Sequence, residues 1–228
     1  LHIACHEGSI DIVDFLLERG ALMYQKEHNQ DIDETGFAWL DLFCSMPKEF
    51  LKTAQVFIKH GVDINFRQDV TELSALHFAS ESPYTEAVQF LVENGADVNS
   101  RNYDGETPLS LAVLSDQIKI VQYLLDHGAD SNLQTYETFE TALHYAASCC
   151  SIEFVRLLVE NGARINAQNF EGSSPLFLAI EAGEFDIVYY LVEKGADKTI
   201  TNQNGLSPLE LAITKNYSVF VDLMLNMN

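Results

Sequence analysis

Residues 105–130 read GETPLSLAVLSDQIKIVQYLLDHGAD, from Gly105 to Asp130, a pattern of two short amphipathic helices closed by a glycine. Thr107 is placed to cap a helix by accepting from its first free amides, and Pro108 suits the first turn because it has no N–H to leave unsatisfied. Leu109 and Ala112 then share one face at i and i+3, with Leu111 and Val113 on its flanks. A second helix presents Ile120, Val121, Leu124 and Leu125. Small Ala112 lets the two helices approach closely. Gly128 stands where the second helix must end, because a left-handed backbone costs glycine little, and His127 suits the negative end of the helix dipole. The chain then turns through a polar hairpin.

The same unit recurs. LHIA at Leu1, LHFA at Leu76, LSLA at Leu109, LHYA at Leu143, LFLA at Leu176 and LELA at Leu209 mark its first helix, and Gly20, Gly95, Gly128, Gly162 and Gly195 mark the end of its second. Pro175 and Pro208 repeat the role of Pro108, and Ser207 that of Thr107. A degraded copy, GFAWLDLF around Leu40 followed by KHGVD at Gly61, fills the gap between the first two landmarks. The approximate repeats are therefore 1–32, 33–68, 69–101, 102–135, 136–168, 169–201 and 202–228, the first and last incomplete. One such unit is too small to cover its own apolar face, so the copies are expected to stack into a solenoid that forms a single domain over 1–228.

This phased double motif resembles the ankyrin repeat, whose pattern is Gly-x-Thr-Pro-Leu-His-x-Ala, a second helix rich in Ile, Val and Leu, and then Gly-Ala-Asp. The resemblance covers essentially the whole chain. It implies an all-α fold, an ankyrin-repeat solenoid of helix-turn-helix units joined by β-hairpin fingers. It also implies that partners contact the hairpin tips and the exposed side of the first helices. Carried over repeat by repeat, those positions are Tyr103, Asp104, Glu106 and Leu114, then Tyr136, Glu137, Phe139 and Glu140, then Phe170, Glu171 and Glu181. For His2, His77 and His144 the resemblance implies a structural hydrogen bond near the hairpin. Asn99, Asn132 and Asn166 look like the hydroxylation acceptors of some ankyrin proteins.

Composition narrows the function. Over 228 residues, 47% hydrophobic and 21% charged residues make disorder a poor default. Lys and Arg number 13 against 34 Asp and Glu, a net charge of −21, which phosphate backbones and anionic lipid surfaces would repel. Nucleic acid is excluded as a partner on this ground. Direct membrane insertion is excluded because no run approaches the roughly 18 to 20 apolar residues a spanning helix needs, and the start LHIACHEGSI lacks the plan of a signal peptide. Cys5, Cys44, Cys149 and Cys150 form no Cys-x-x-Cys pair, which fits a reducing compartment, cytoplasmic or nuclear. Neighbouring Cys149 and Cys150 read as small packing residues. The stock motifs of hydrolases, nucleotide-binding loops and zinc proteases are missing, so no catalytic residue and no cofactor is expected. Only His2 and His6 have i, i+4 metal spacing. His2 is already explained by the repeat, and no metal site is assigned. Asn216-Tyr217-Ser218 matches a glycosylation acceptor but falls at an intracellular helix start.

Three hairpins depart from the pattern, and irregular loops on a regular scaffold are where specificity resides. The segment from Met23 to Trp39 is longer than its counterparts and carries the only Trp. Beside Phe37, Trp39 has two readings: an exposed anchor for a partner, or a plug that seals the hairpin against the first helix. Glu72 and Phe139 replace the hairpin glycine, so their turns must be rebuilt. Tyr136 and Phe139 either close the gap between adjacent repeats or face a partner. The hairpin carboxylates either steer a basic partner or only solubilise the array, whereas Glu18, Glu93, Glu160 and Glu193 read as a solvated outer edge. Leu1 begins inside the first-helix block and Val219 takes a slot charged in other copies, so further repeats or domains are expected at both ends. The expected function is a protein–protein interaction scaffold or adaptor for a partner with a basic, partly apolar surface. The alternative is a regulatory or targeting domain of a larger multidomain enzyme or channel.

Overall fold

The computed structural model describes residues 1–21, 38–45, 50–149 and 151–226. Among them, fourteen helices follow one another in seven pairs. Their contacts gather into two compact units, Leu1–Tyr103 and Asp104–Asn228.

The first unit holds α1 (His2–His6), α2 (Ile10–Glu18), α3 (Ala38–Ser45), α4 (Phe50–Lys59), α5 (Ala75–Glu81) and α6 (Thr85–Glu93). First helices pack on first helices, α1 against α3 and α3 against α5, while α2 packs against α4. Spacing explains which side faces in: Val13 and Leu17 are buried on α2, and Ala54 and Phe57 on α4. At the exposed edge of that packing the Asp14 carboxylate accepts from His60 Nε2 at 2.7 Å and from Lys59 Nζ at 2.9 Å. The hydrogen bonds from His60 and then Lys59 hold its carboxyl below the usual aspartate range.

The second unit holds α7 (Pro108–Leu114), α8 (Ile118–Asp126), α9 (Ala142–Cys149), α10 (Ile152–Glu160), α11 (Pro175–Ala182), α12 (Phe185–Glu193), α13 (Pro208–Thr214) and α14 (Ser218–Asn226). It is built by the same rule, with α7, α9, α11 and α13 in one row and α8, α10, α12 and α14 in the other. Leu109, Ala112, Ile120, Val121, Leu124 and Leu125 are all buried, and a fully buried side chain of leucine size contributes about 2 kcal/mol. The expected caps form. Thr107 Oγ1 accepts from the Ser110 amide at 3.2 Å while Ser110 Oγ accepts from the Thr107 amide at 2.8 Å. Ser207 and Glu210 make the equivalent reciprocal pair, the Glu210 carboxylate accepting from the Ser207 amide at 2.8 Å. Gly128 adopts φ 87°, which returns the Ala129 amide to the Leu124 carbonyl at 2.9 Å and ends α8.

The fold is thus the all-α repeat solenoid class. Its fingers are hydrogen-bonded turns more than ladders: among the described residues they contain an isolated antiparallel bridge, Arg67 to Ser74.

Candidate functional site at the hairpin tips

In the second unit the fingers are tied to one another through backbone. The Tyr136 amide donates to the Asp104 carbonyl at 2.9 Å, the Phe170 amide to the Thr138 carbonyl at 2.7 Å, and the Gln203 amide to the Glu171 carbonyl at 2.8 Å. Successive tips are thereby set in register, and the aromatic side chains they carry stay in water. Tyr136 is 52% exposed, Phe139 44% and Phe170 58%. Phe139 does lean on the next repeat, its ring centroid 6.3 Å from that of Phe170, yet much of both rings remains open. Asp104 and Glu171 are exposed beside them, whereas Glu106 and Glu140 are only partly so.

Phe139 sits where other fingers have glycine and adopts φ 54°. The finger that holds it is closed from below. Thr135 donates its amide to the Glu140 carbonyl at 3.0 Å, Glu140 donates its amide to Thr135 Oγ1 at 3.0 Å, and the hydroxyls of Thr135 and Thr138 are 2.7 Å apart. Tyr145, on α9, carries its hydroxyl into this group. Burial, together with the carboxylates of Glu140 and Glu106, pushes it up to about 12 against the contrary pull of hydrogen bonds with Thr135 and Thr138. Tyr145 therefore stays protonated and supports the tip. Tyr145 occupies the variable position of the LHYA block, and only the bonded finger identifies its role.

The other expected positions are distributed differently. Tyr103 is 68% exposed and belongs to the first unit, where its amide donates to the Thr71 carbonyl at 2.9 Å. Leu114 and Glu181 are exposed on α7 and α11, and Leu114 closes α7, about 9 Å along the helix from its hairpin end at 1.5 Å per residue. They are helix-face positions, apart from the tips. Trp39 is a correction. It is 0% exposed, its ring edge-on to Phe43 at 4.8 Å and 5.6 Å from Phe57. Its large apolar area goes into the core of the α3–α4 pair, so it is no exposed anchor. Phe37 lies outside the described residues.

His144 shows what the repeated histidine does. Its Nδ1 accepts from the Thr141 amide at 3.1 Å and the Thr141 hydroxyl at 2.8 Å, and its Nε2 donates to the Ser173 carbonyl of the next finger at 3.2 Å. Desolvation lowers its pKa to about 4, so the ring is neutral and structural. His77 Nδ1 likewise accepts from the Ser74 amide at 3.0 Å. A second tie was not read from the sequence. Asn132 donates its side-chain amide to the Gly162 carbonyl at 3.2 Å and accepts from the Arg164 amide at 2.7 Å, and Asn65 bonds Gly95 and Asp97 in the same way. Cys149, expected to pack, is exposed and donates to the Tyr145 carbonyl. Among the described residues, no three His, Cys, Asp or Glu side chains are grouped to hold a metal, and no helix is long and apolar enough to cross a membrane.

Family models for ankyrin repeats match residues 42–135, 102–169, 131–202 and 168–228, and a further ankyrin-repeat model matches 1–27. The chain belongs to the ankyrin-repeat family. Among ankyrin proteins similar to it is FPV223 of fowlpox virus (strain NVSL), 30% identical over 138 residues that make up 60% of this chain and 96% of that protein. The human ankyrin repeat and SOCS box protein 6 is 31% identical over 180 residues, 76% of this chain and 41% of the relative. This chain thus spans under half the length of that relative. Among solved structures, the ankyrin repeat domain of Bcl-3, described as a member of the IkappaB protein family, aligns with a TM-score of 0.82 and 25% identity over 99% of this chain and 97% of its own. Ankyrin repeats are protein-binding modules, and the fold and the family agree on that class.

Proposed function

We propose that this chain is a protein-interaction scaffold or adaptor that grips a partner with a basic, partly apolar surface through the hairpin tips of its second unit. The observation that carries the reading is the presence of three exposed aromatic side chains, Tyr136, Phe139 and Phe170, on fingers whose backbones are tied together. Aromatic rings on rigid turns give contact area at small entropic cost. The adjacent carboxylates of Asp104, Glu137 and Glu171 favour cations and repel anions. The helix-face residues Leu114 and Glu181 of the second unit are secondary contacts in this proposal. No reaction is assigned to the chain, and its setting is cytoplasmic or nuclear, from its cysteine usage.

The test is affinity capture with the purified chain. Joint replacement of Tyr136, Phe139 and Phe170 by Ala is expected to abolish capture while the thermal midpoint changes little, because these residues are about half exposed and lie outside the helical core. Capture that survives the triple replacement removes the tips from consideration. A second reading, a targeting or regulatory module within a longer polypeptide, draws on the SOCS-box relative, of which this chain spans 41%.

A further inference from the structure

Among the described residues, four other than glycine hold a left-handed backbone: Glu72 at φ 56°, Asp116 at 59°, Phe139 at 54° and Asn216 at 57°. Asp and Asn tolerate that region because their short polar side chains bond locally. Glu72 is compensated inside the chain, its carboxylate accepting from Arg67 at 2.5 Å and its carbonyl from the same guanidinium at 3.1 Å. Phe139 is different. A bulky side chain there is strained where glycine would not be, and its ring is left 44% exposed with Phe170 as its ring neighbour. The strain is sustained by its surroundings: Gln134 Nε2 donates to the Phe139 carbonyl at 2.7 Å, Gln203 Nε2 donates to the Phe170 carbonyl, and the Phe170 amide is fixed on Thr138. Both backbones are locked while both rings open outward.

The charged residues that adjoin the pair in sequence are all acidic. Glu137 precedes Thr138, whose carbonyl anchors Phe170, and Glu171 follows Phe170. Both carboxylates are exposed, and among the described residues neither has an ion-pair partner. Elsewhere this chain does place cations on rings, Arg19 over Phe15 at 4.8 Å and Arg156 over Tyr190 at 4.5 Å, but none of its own described cations stands over Phe139 or Phe170. An exposed ring pair with unpaired carboxylates on the same two fingers is complementary to a planar cation that stacks and donates hydrogen bonds at once. A guanidinium meets both demands, while an ammonium is more strongly hydrated and lacks the planar fork. Resting on the reading proposed above, we infer that Phe139 and Phe170, flanked by Glu137 and Glu171, form a subsite for an arginine side chain presented by an extended basic segment of the partner protein.

The probe is a short fluorescent peptide alternating Arg and Leu, with two control peptides in which every Arg becomes citrulline or Lys, titrated by anisotropy at low ionic strength. Citrulline keeps the shape and removes the charge. The arginine peptide is expected to bind about tenfold more tightly than the citrulline peptide, with the lysine peptide between them. Phe139→Gly is expected to weaken the arginine peptide about tenfold while holding or raising the thermal midpoint, since it relieves the left-handed strain. Joint Glu137→Gln and Glu171→Gln replacement removes most of the preference for arginine over citrulline. Equal binding of arginine and citrulline peptides, unchanged binding by Phe139→Gly, or a fall in midpoint on that replacement overturns the inference. Absence of binding by any of the peptides does so too. Loss of capture by the Tyr136, Phe139 and Phe170 triple replacement, combined with equal arginine and citrulline binding, keeps the tip surface and rejects only its occupant.

Discussion

At the scale of single residues, His144 shows how one buried group makes the array sensitive to acid. The ring is fully buried and bonded on both nitrogens in its neutral form. Its pKa falls from 6.5 to about 4 on folding, so between those values the unfolded chain binds the extra proton and the folded chain does not. His144 therefore contributes its full stability above about pH 6.5, and that contribution is lost as pH falls towards 4. The loss at pH 4.5 is on the order of 2 kcal/mol. Urea unfolding at pH 7 and pH 4.5 is expected to show a smaller drop for His144→Gln than for the parent chain by about this amount, with the carboxylates common to both cancelling. An equal drop in the two proteins would mean that the histidine is not held neutral. Trp39 teaches the complementary lesson. Its burial depends on Phe43 and Phe57 coming to it from α3 and α4, which spacing alone does not disclose.

At the scale of elements, the helices are held as pairs by apolar faces and from repeat to repeat by a few polar bolts. Asn132 is the clearest bolt, donating to Gly162 and accepting from Arg164 one repeat away. Asn132→Ala leaves a carbonyl and an amide of the next turn to water and is expected to cost about 1 kcal/mol, because the site is exposed. Asn132→Asp keeps the acceptor for Arg164 and loses the donor, so its cost is smaller. Chemical denaturation of the three proteins side by side checks the order. The bolt also explains where legibility ended. Thr107, Pro108 and Gly128 were readable because each acts within its own helix and recurs in other copies, as Ser207, Pro175 and Gly162 do. Asn132 and Asn65 recur just as regularly, but their partners lie about thirty positions on and their role appears only when neighbouring turns meet. Phe139 was readable as a departure from glycine, while the group that supports it, Thr135, Thr138 and Tyr145, was not. Those three are unremarkable residues whose meaning is the closed finger.

At the scale of the whole molecule, a net charge of −21 acts on folding and on binding in opposite directions. The folded chain concentrates 34 carboxylates that lie further apart when it unfolds, so self-repulsion lowers its stability and added salt should restore part of it. The same carboxylates, where they flank the exposed tips, draw a cationic partner over distances that salt shortens: the screening length falls from about 30 Å at 0.01 M to about 8 Å at 0.15 M. Raising the salt across that range is thus expected to raise the thermal midpoint of the free chain and, at the same time, to slow association with a basic partner and weaken capture. Midpoints by circular dichroism and association rates by surface-captured binding, measured in the same buffers, check the two halves together. A partner whose association rate does not change with salt is not being steered by the hairpin carboxylates, and the acidic surface then serves solubility alone. A midpoint that falls with salt would instead place the weight of the charge in attractive pairs such as Asp14 with Lys59 and Arg67 with Glu72, which are half-exposed and worth little individually. The first outcome would separate the charge from recognition, and the second would separate it from self-repulsion.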